Sequence, residues 1–182
     1  MHRNNLIQQL QEYQTRWPDE SDLAQRFIGF LSAHEDCFER ELQTGHVTGS
    51  AWLVNRAGTH ILLTHHKKLN IWVQLGGHAD GDSDLLRVSM REAEEESGLS
   101  GIVPVSKQIF DIDAHAIPRR GDFPEHIHWD IRYALRATES EDYVVSEESH
   151  DLKWGEIATL QDFTQEATLL RMASKWVIVD LQ

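Results

Sequence analysis

Four glutamates, Glu92, Glu94, Glu95 and Glu96, fall within five positions of this chain. Like charges three or four apart on a helix repel by about 0.2–0.5 kcal/mol per pair. Such a cluster therefore asks for water or a cation to offset it. At 3.6 residues per turn, Glu92, Glu95 and Glu96 share one face, with Asp84 and Val88 upstream on it. Leu86, Ser89, Met90, Ala93 and Ser97 form another face, apolar or small, that suits a helix lying on a sheet. Carboxylate oxygens on a loop and helix suit a hard cation, Mg²⁺ or Mn²⁺. The plainer alternative is a solvated acidic helix.

A second group of chemistry-bearing residues alternates along two strands. Asp111, Asp113 and His115 oppose Ile112, Ala114 and Ala116; His126, His128, Asp130 and Arg132 oppose Ile127, Trp129, Ile131 and Tyr133. Period two puts each polar set on one strand face. Paired antiparallel across the Pro118–Pro124 loop, these strands predict a sheet face crowded with His and Asp. That face reads as a substrate groove, a second metal site, or plain surface. Histidine is the commonest metal ligand, and His78, directly after Gly76-Gly77, is a further candidate for the group.

The spacing of the acidic segment resembles the Nudix box, G-x5-E-x7-R-E-U-x-E-E-x-G-U with U aliphatic. The match falls on Gly77, Arg91, Glu92, Ala93 in the aliphatic slot, Glu95, Glu96, Gly98 and Leu99. It departs at Ser83, which stands where the family has its first glutamate and is flanked by Asp82 and Asp84. The resemblance implies an α/β/α sandwich around a mixed β-sheet, hence an α/β fold. It also implies metal-dependent cleavage of a pyrophosphate bond in a nucleoside diphosphate linked to another group, with a sugar nucleotide or ADP-ribose as the leading expectation. The implied metal site takes Mg²⁺ or Mn²⁺ on Glu92, Glu95 and Glu96, with the Gly76 backbone and, from the late loop, Glu147 or Glu148. Glu95 or Glu96 is the expected proton acceptor. Arg91 is expected to orient the glutamates through a charge-assisted bond. His78, His126, His128 and Asp130 are the expected substrate-binding residues, while Arg119, Arg120 and Lys107 are cations the sequence leaves unplaced.

Two rival functions carry different signatures. Isopentenyl-diphosphate isomerases share the fold and a Gly-His pair, but need a cysteine just before it; here Gly76 precedes Gly77-His78 and the single cysteine is Cys37. A non-catalytic nucleotide-binding module is compatible with Ser83, but has no need of Glu92, Glu95 and Glu96 together.

The elements that must position these residues follow from periodicity. Residues 1–44 read as a helical extension. Leu6, Leu10, Tyr13 and Trp17 form one stripe, Pro18 to Ser21 break it, and Leu23, Phe27, Leu31, Phe38 and Leu42 form a second stripe. This pair is expected to pack on the main domain, or to serve as a homodimerisation or substrate-capping element. Cys37 sits in its apolar part and is expected to be inert. Residues 45–182 form the main domain. Runs at 50–54 and 61–64 bracket a hairpin turn at Asn55 to Gly58, and 71–75 is a strand feeding Gly76-Gly77. Gly98 stops the acidic helix. Asp162 to Gln165 reads as a capping box for a last helix that buries Leu169, Leu170, Ala173, Trp176 and Val177.

With 182 residues, one domain with an appendage is expected. The net charge of −13 argues against a nucleic-acid duplex or an anionic membrane as partner, but not against a small nucleotide met through a cation. A lone cysteine, no apolar leader and no run near ~20 apolar residues point to a soluble, cytoplasmic protein.

Overall fold

The structure is a computed structural model in which residues 2–67, 70–146 and 149–179 are described. Two helices, α1 (His2–Arg16) and α2 (Ser21–Ala33), precede the strands β1 (Gly45–Val54), β2 (His60–His66) and β3 (Trp72–His78). The acidic helix α3 (Leu85–Ser97) is followed by β4 (Ile102–Pro104), β5 (Asp111–Ile117), β6 (His126–Ala137) and β7 (Ser149–Glu156). The short α4 (Leu160–Phe163) and the longer α5 (Ala167–Val179) close the described chain. No helix among the described residues is long and apolar enough to cross a membrane.

The strands form one mixed sheet in the order β4-β6-β1-β3-β2-β7, with β5 also on β6. Among the described residues only β1 and β6 pair in parallel, in register from Gly45↔Ile127 to Val54↔Arg136. Alternation along these two strands sorts their side chains between the faces. Val47, Ala51, Leu53, Trp129, Ile131, Tyr133 and Leu135 share a core with Leu6, Leu10, Phe27 and Leu31 of the first two helices and with Leu85, Val88 and Ala93 of α3. Trp129 stacks on Phe30 at 4.8 Å between centroids and meets Phe27 edge-on. On the other face, Trp52, Val54, Ile61 and Leu63 pack with Leu160, Leu169, Met172 and Trp176 of α4 and α5. The architecture is an α/β/α sandwich, as the expected fold class requires.

Several local expectations change. The second helix ends at Ala33, where His34 turns extended (φ −123°, ψ 115°), so Phe38 and Leu42 do not continue its stripe. Phe38 is buried all the same, in a loop whose carbonyls at Cys37 and Phe38 accept Val47 N–H and Gly81 N–H. The stripes of α1 and α2 pack on the sheet, and among the described residues these two helices carry no exposed large apolar side chain. Cys37 is fully buried, and burial pushes its thiol up to about 11, so it is inert as expected.

The acidic helix is also rotated relative to its sequence pattern. Leu85 and Val88 are buried, whereas Leu86 and Met90 are only partly so. The reason is Gly49: a Cβ there would lie 2.8 Å from Val88 Cγ1 and 3.3 Å from the Leu85 carbonyl. A bare Cα lets α3 settle on β1 along the edge that carries Val88. Near the C-terminus, Asp162 lies inside α4 instead of capping α5; the Thr164 hydroxyl accepts from Glu166 N–H at 3.2 Å. Val177 is 57% exposed, and Met172 takes the buried place in its stead.

Candidate active site

β3 delivers the glycine pair directly beneath α3. Gly76 lies opposite Ser50 and Gly77 opposite Gly49 on β1. The Gly76 N–H donates to Glu96 Oε1 at 2.9 Å. A Cβ on Gly77 would collide with the Glu92 carboxylate, so that carboxylate occupies the space a side chain would take. Arg91 Nη2 donates to Glu92 Oε1 at 2.7 Å and to the His78 carbonyl at 3.0 Å. The Glu92 contact holds the Arg91 guanidinium above its ordinary pKa. Arg91 therefore ties one turn of the helix to the end of β3. Glu95 is exposed on the outer edge of the same helix. At the helix end Gly98 adopts φ 67°, a left-handed conformation that favours glycine, and its N–H reaches Glu94 O at 2.8 Å.

The loop before α3 is fixed by its aspartates. Asp84 caps the helix by accepting Arg87 N–H, and Asp82 grips Arg87 through two bonds of 2.6 and 2.7 Å. Asp80 pairs in the same two-pronged way with Arg40. The arginines hold Asp80 and Asp82 below the usual carboxylate range. Both acidic neighbours of Ser83 are thus committed locally. Ser83 itself lines a hollow of about 250 Å³ with Asn5, Gln9, Lys107 and Tyr133, on the side of the sheet covered by the first helices.

The polar sheet face expected from β5 and β6 exists, in the register Asp111↔Arg132, Asp113↔Asp130, His115↔His128 and Ile117↔His126. β1 completes it with His46, Thr48 and Ser50. Asp130 is buried: it accepts the Thr48 and Ser50 hydroxyls at 2.8 Å each and Arg132 Nε at 2.7 Å. Arg132, equally buried, also reaches Asp111 at 3.1 Å and Asp113 at 3.3 Å. From α5, Arg171 grips Asp111 with bonds of 3.0 and 2.7 Å, and Lys175 meets it at 2.5 Å. Lys175 also binds the Tyr13 hydroxyl and Glu20, both at 2.6 Å. Burial pushes Asp113 upward, but His115, Arg132 and Arg171 together hold it below the usual range. Charges this deep persist only when paired. The network is a floor that joins both ends of the chain to the sheet, and Asp130 lies within it beneath Ser50.

The histidines gather at the open end of this face. Among the described residues, His46, His78 and His128 bring ligand nitrogens within 4.8 Å of one another, and no three carboxylates converge as closely. His46 Nε2 and His128 Nε2 are 3.1 Å apart. Burial, then the neighbouring imidazoles, lower His46 to about 4 and His128 to about 2. The His126 ring lies 4.9 Å from His46 and 5.1 Å from His128, with Nδ1 3.0 Å from the Pro124 carbonyl. Phe123 stacks edge-on against it, in a loop closed by the Arg120–Phe123 bridge.

The structure thus gathers Gly76, Arg91, Glu92 and Glu96 at one corner and sets Glu95 on its rim. It gathers His78, His126 and His128 at another corner and buries Asp130 below. Glu147 and Glu148 lie outside the described residues. Sequence reasoning missed His46, whose place beside His128 comes from the parallel pairing of β1 with β6.

No family profile matches the sequence, and no curated protein matches it. Solved structures do. An Ap4A hydrolase from C. elegans is 16% identical with a TM-score of 0.58, over 72% of this chain and 95% of that one. A MutT protein from Methanosarcina mazei Go1 is 17% identical with a TM-score of 0.57, over 76% and 96%. A MutT Nudix hydrolase from Burkholderia pseudomallei is 25% identical with a TM-score of 0.54, over 70% and 95%. This chain has the Nudix hydrolase fold, and it carries all but one of the box positions on the strand, loop and helix described above.

Proposed function

We propose that the protein is a divalent-metal-dependent hydrolase that cleaves the pyrophosphate of a nucleoside diphosphate joined to a second group. One observation carries this: Glu92 and Glu96 are docked on Gly77 and Gly76, with Arg91 bridging Glu92 to the strand. The donors fit a hard cation. They are carboxylate oxygens of Glu92, Glu95 and Glu96 beside a backbone made approachable by two glycines. Glu147, expected from the family resemblance, is the proposed further ligand. Bound there, Mg²⁺ or Mn²⁺ supplies charge neutralisation to the phosphates and acidity to water.

The chain's own groups do the rest. Arg91 fixes the Glu92 rotamer through a charge-assisted bond. Glu95, exposed on the rim, or Glu96 takes the proton from the attacking water. In-line attack at phosphorus breaks the anhydride and releases a nucleoside monophosphate and the phosphorylated remainder. The polar face below the glycine corner receives the substrate's far group, with His78, His126 and His128 at its border and Asp130 positioning the Ser50 hydroxyl. A nucleoside diphosphate sugar or ADP-ribose is the preferred substrate class.

The test is phosphate release, with added phosphatase, across nucleoside diphosphate derivatives and triphosphates with Mg²⁺ or Mn²⁺. Release from one class, lost on chelation and lost in Glu96→Gln with an unchanged circular dichroism spectrum, is expected. Full turnover by Glu96→Gln would refute the assignment. Nucleotide binding without any release would turn it to a binding module.

A further inference from the structure

We infer that His46, His78 and His128 form a second metal site, rich in nitrogen, that takes a borderline divalent cation of the Zn²⁺ class and is separate from the carboxylates of α3. The three ligands come from three adjacent strands. β1 is central, pairing His46 with His128 of β6 on one side and Thr48 with His78 of β3 on the other. All three sit on the same sheet face, and their ligand nitrogens lie within 4.8 Å of one another. Zn–N bonds of about 2.0–2.1 Å in a tetrahedral site set neighbouring nitrogens about 3.3 Å apart. The His46 and His128 Nε2 atoms, in hydrogen-bond contact at 3.1 Å, stand close to that spacing. The third nitrogen, on the part-buried His78, lies within 4.8 Å of both.

The surroundings are those of a ligand set. A ligating histidine normally turns its other ring nitrogen to a carbonyl or carboxylate, which fixes the ring. His46 Nδ1 faces the Leu42 carbonyl at 3.5 Å, which aims Nε2 into the cluster. His126, with Nδ1 on the Pro124 carbonyl, packs its ring beside the cluster, and water would complete the coordination. Three imidazoles favour Zn²⁺, Co²⁺ or Ni²⁺ over Mg²⁺, which demands hard oxygen donors. The two sites therefore sort cations by chemistry. They also share a strand: Gly76 and Gly77 carry the glutamates, and His78 follows directly, its carbonyl held by Arg91. A cation on His78 would pin the end of β3 on which the catalytic corner is built.

The decisive experiment titrates Zn²⁺ alone into the full chain after chelation, followed by calorimetry and by thermal melting. A single Zn²⁺ per chain is expected, with a raised melting temperature and no competition from millimolar Mg²⁺. His46→Asn/His128→Asn should weaken binding by more than the roughly 10- to 100-fold cost of losing an outer-shell partner. Glu92→Gln/Glu96→Gln should retain it. Should the histidine variant not fold, Co²⁺ on the unaltered protein still decides: a nitrogen-rich tetrahedral or five-coordinate centre absorbs strongly in the visible, an octahedral oxygen site only weakly. No Zn²⁺ bound, a weak octahedral Co²⁺ spectrum, or binding lost with the glutamates instead of the histidines would overturn the site.

Discussion

Replacing Gly77 by alanine separates the chemistry of the corner from its stability. The added methyl would meet all three terminal atoms of the Glu92 carboxylate, with its carbon at 2.5 Å and Oε1 at 2.8 Å. These three nearest atoms are the far end of a flexible side chain, so Glu92 is expected to swing away and the fold to survive. The displaced carboxylate forfeits its 2.7 Å bond with Arg91, while Arg91 keeps the His78 carbonyl. A hydrogen bond to a charged group is worth about 1.5–3 kcal/mol. If that sum measures how firmly Glu92 is held in its working position, turnover should fall roughly 10- to 150-fold, since each 1.36 kcal/mol is tenfold. Urea unfolding should shift by no more than about 3 kcal/mol, the worth of the one bond lost. Steady-state phosphate release across Mg²⁺ concentrations, alongside urea melts, tests both halves. Undiminished turnover would show that Glu92 need not stand on Gly77. A large loss of stability would show that the helix, not the side chain, has to move.

Gly49→Ala should behave the other way, because its methyl meets Val88 and the Leu85 carbonyl inside the core. Overpacking of this kind costs about 1–3 kcal/mol, readable as a lower urea midpoint. Asp111→Asn should also destabilise, by up to about 3 kcal/mol, since it removes the one carboxylate that Arg132, Arg171 and Lys175 share, while Asp130, Asp113 and Glu20 still partner them. Asp113 adds a pH signature. Its folded pKa lies below the ordinary Asp value of about 3.9, so its stabilisation is complete above that value and is lost as pH falls through the folded pKa. The difference in melting temperature between the unaltered protein and Asp113→Asn, a comparison that removes the separate titration of His46 and His128, should therefore hold from pH 6 down to about pH 4 and then narrow; a difference that narrows on raising pH over the same range would contradict the pairing.

What was legible in the sequence is what a single element determines. The box residues lie on one strand, loop and helix, so their spacing fixes their neighbours: Glu92 and Glu96 are one turn apart on any helix, and Gly98 ends it. Alternation likewise put Asp111, Asp113 and His115 on the face of His128 and Asp130, because an antiparallel pair joined by a short loop preserves face. Helical periodicity was less reliable at its margins. It set Val88 with the carboxylates and Met90 with the sheet, whereas Val88 goes in against Gly49, some forty residues away in sequence.

What stayed hidden depends on which elements become neighbours. Period two says that Ser50 and Thr48 share a face, but not that Asp130 lies beside them; that needs the one parallel pairing in the sheet. A last helix read as purely structural carries Arg171 and Lys175, the cations that neutralise Asp111, and their four-residue spacing gives no hint of a target on β5. His46 follows the same logic. Alone at the start of a strand it resembles any surface histidine, and only the register His46↔His128 brings the two ring nitrogens to 3.1 Å. The carboxylate corner was readable because its chemistry is local to one segment. The histidine corner is assembled by topology, from three strands, and so it could emerge only once the sheet order was known.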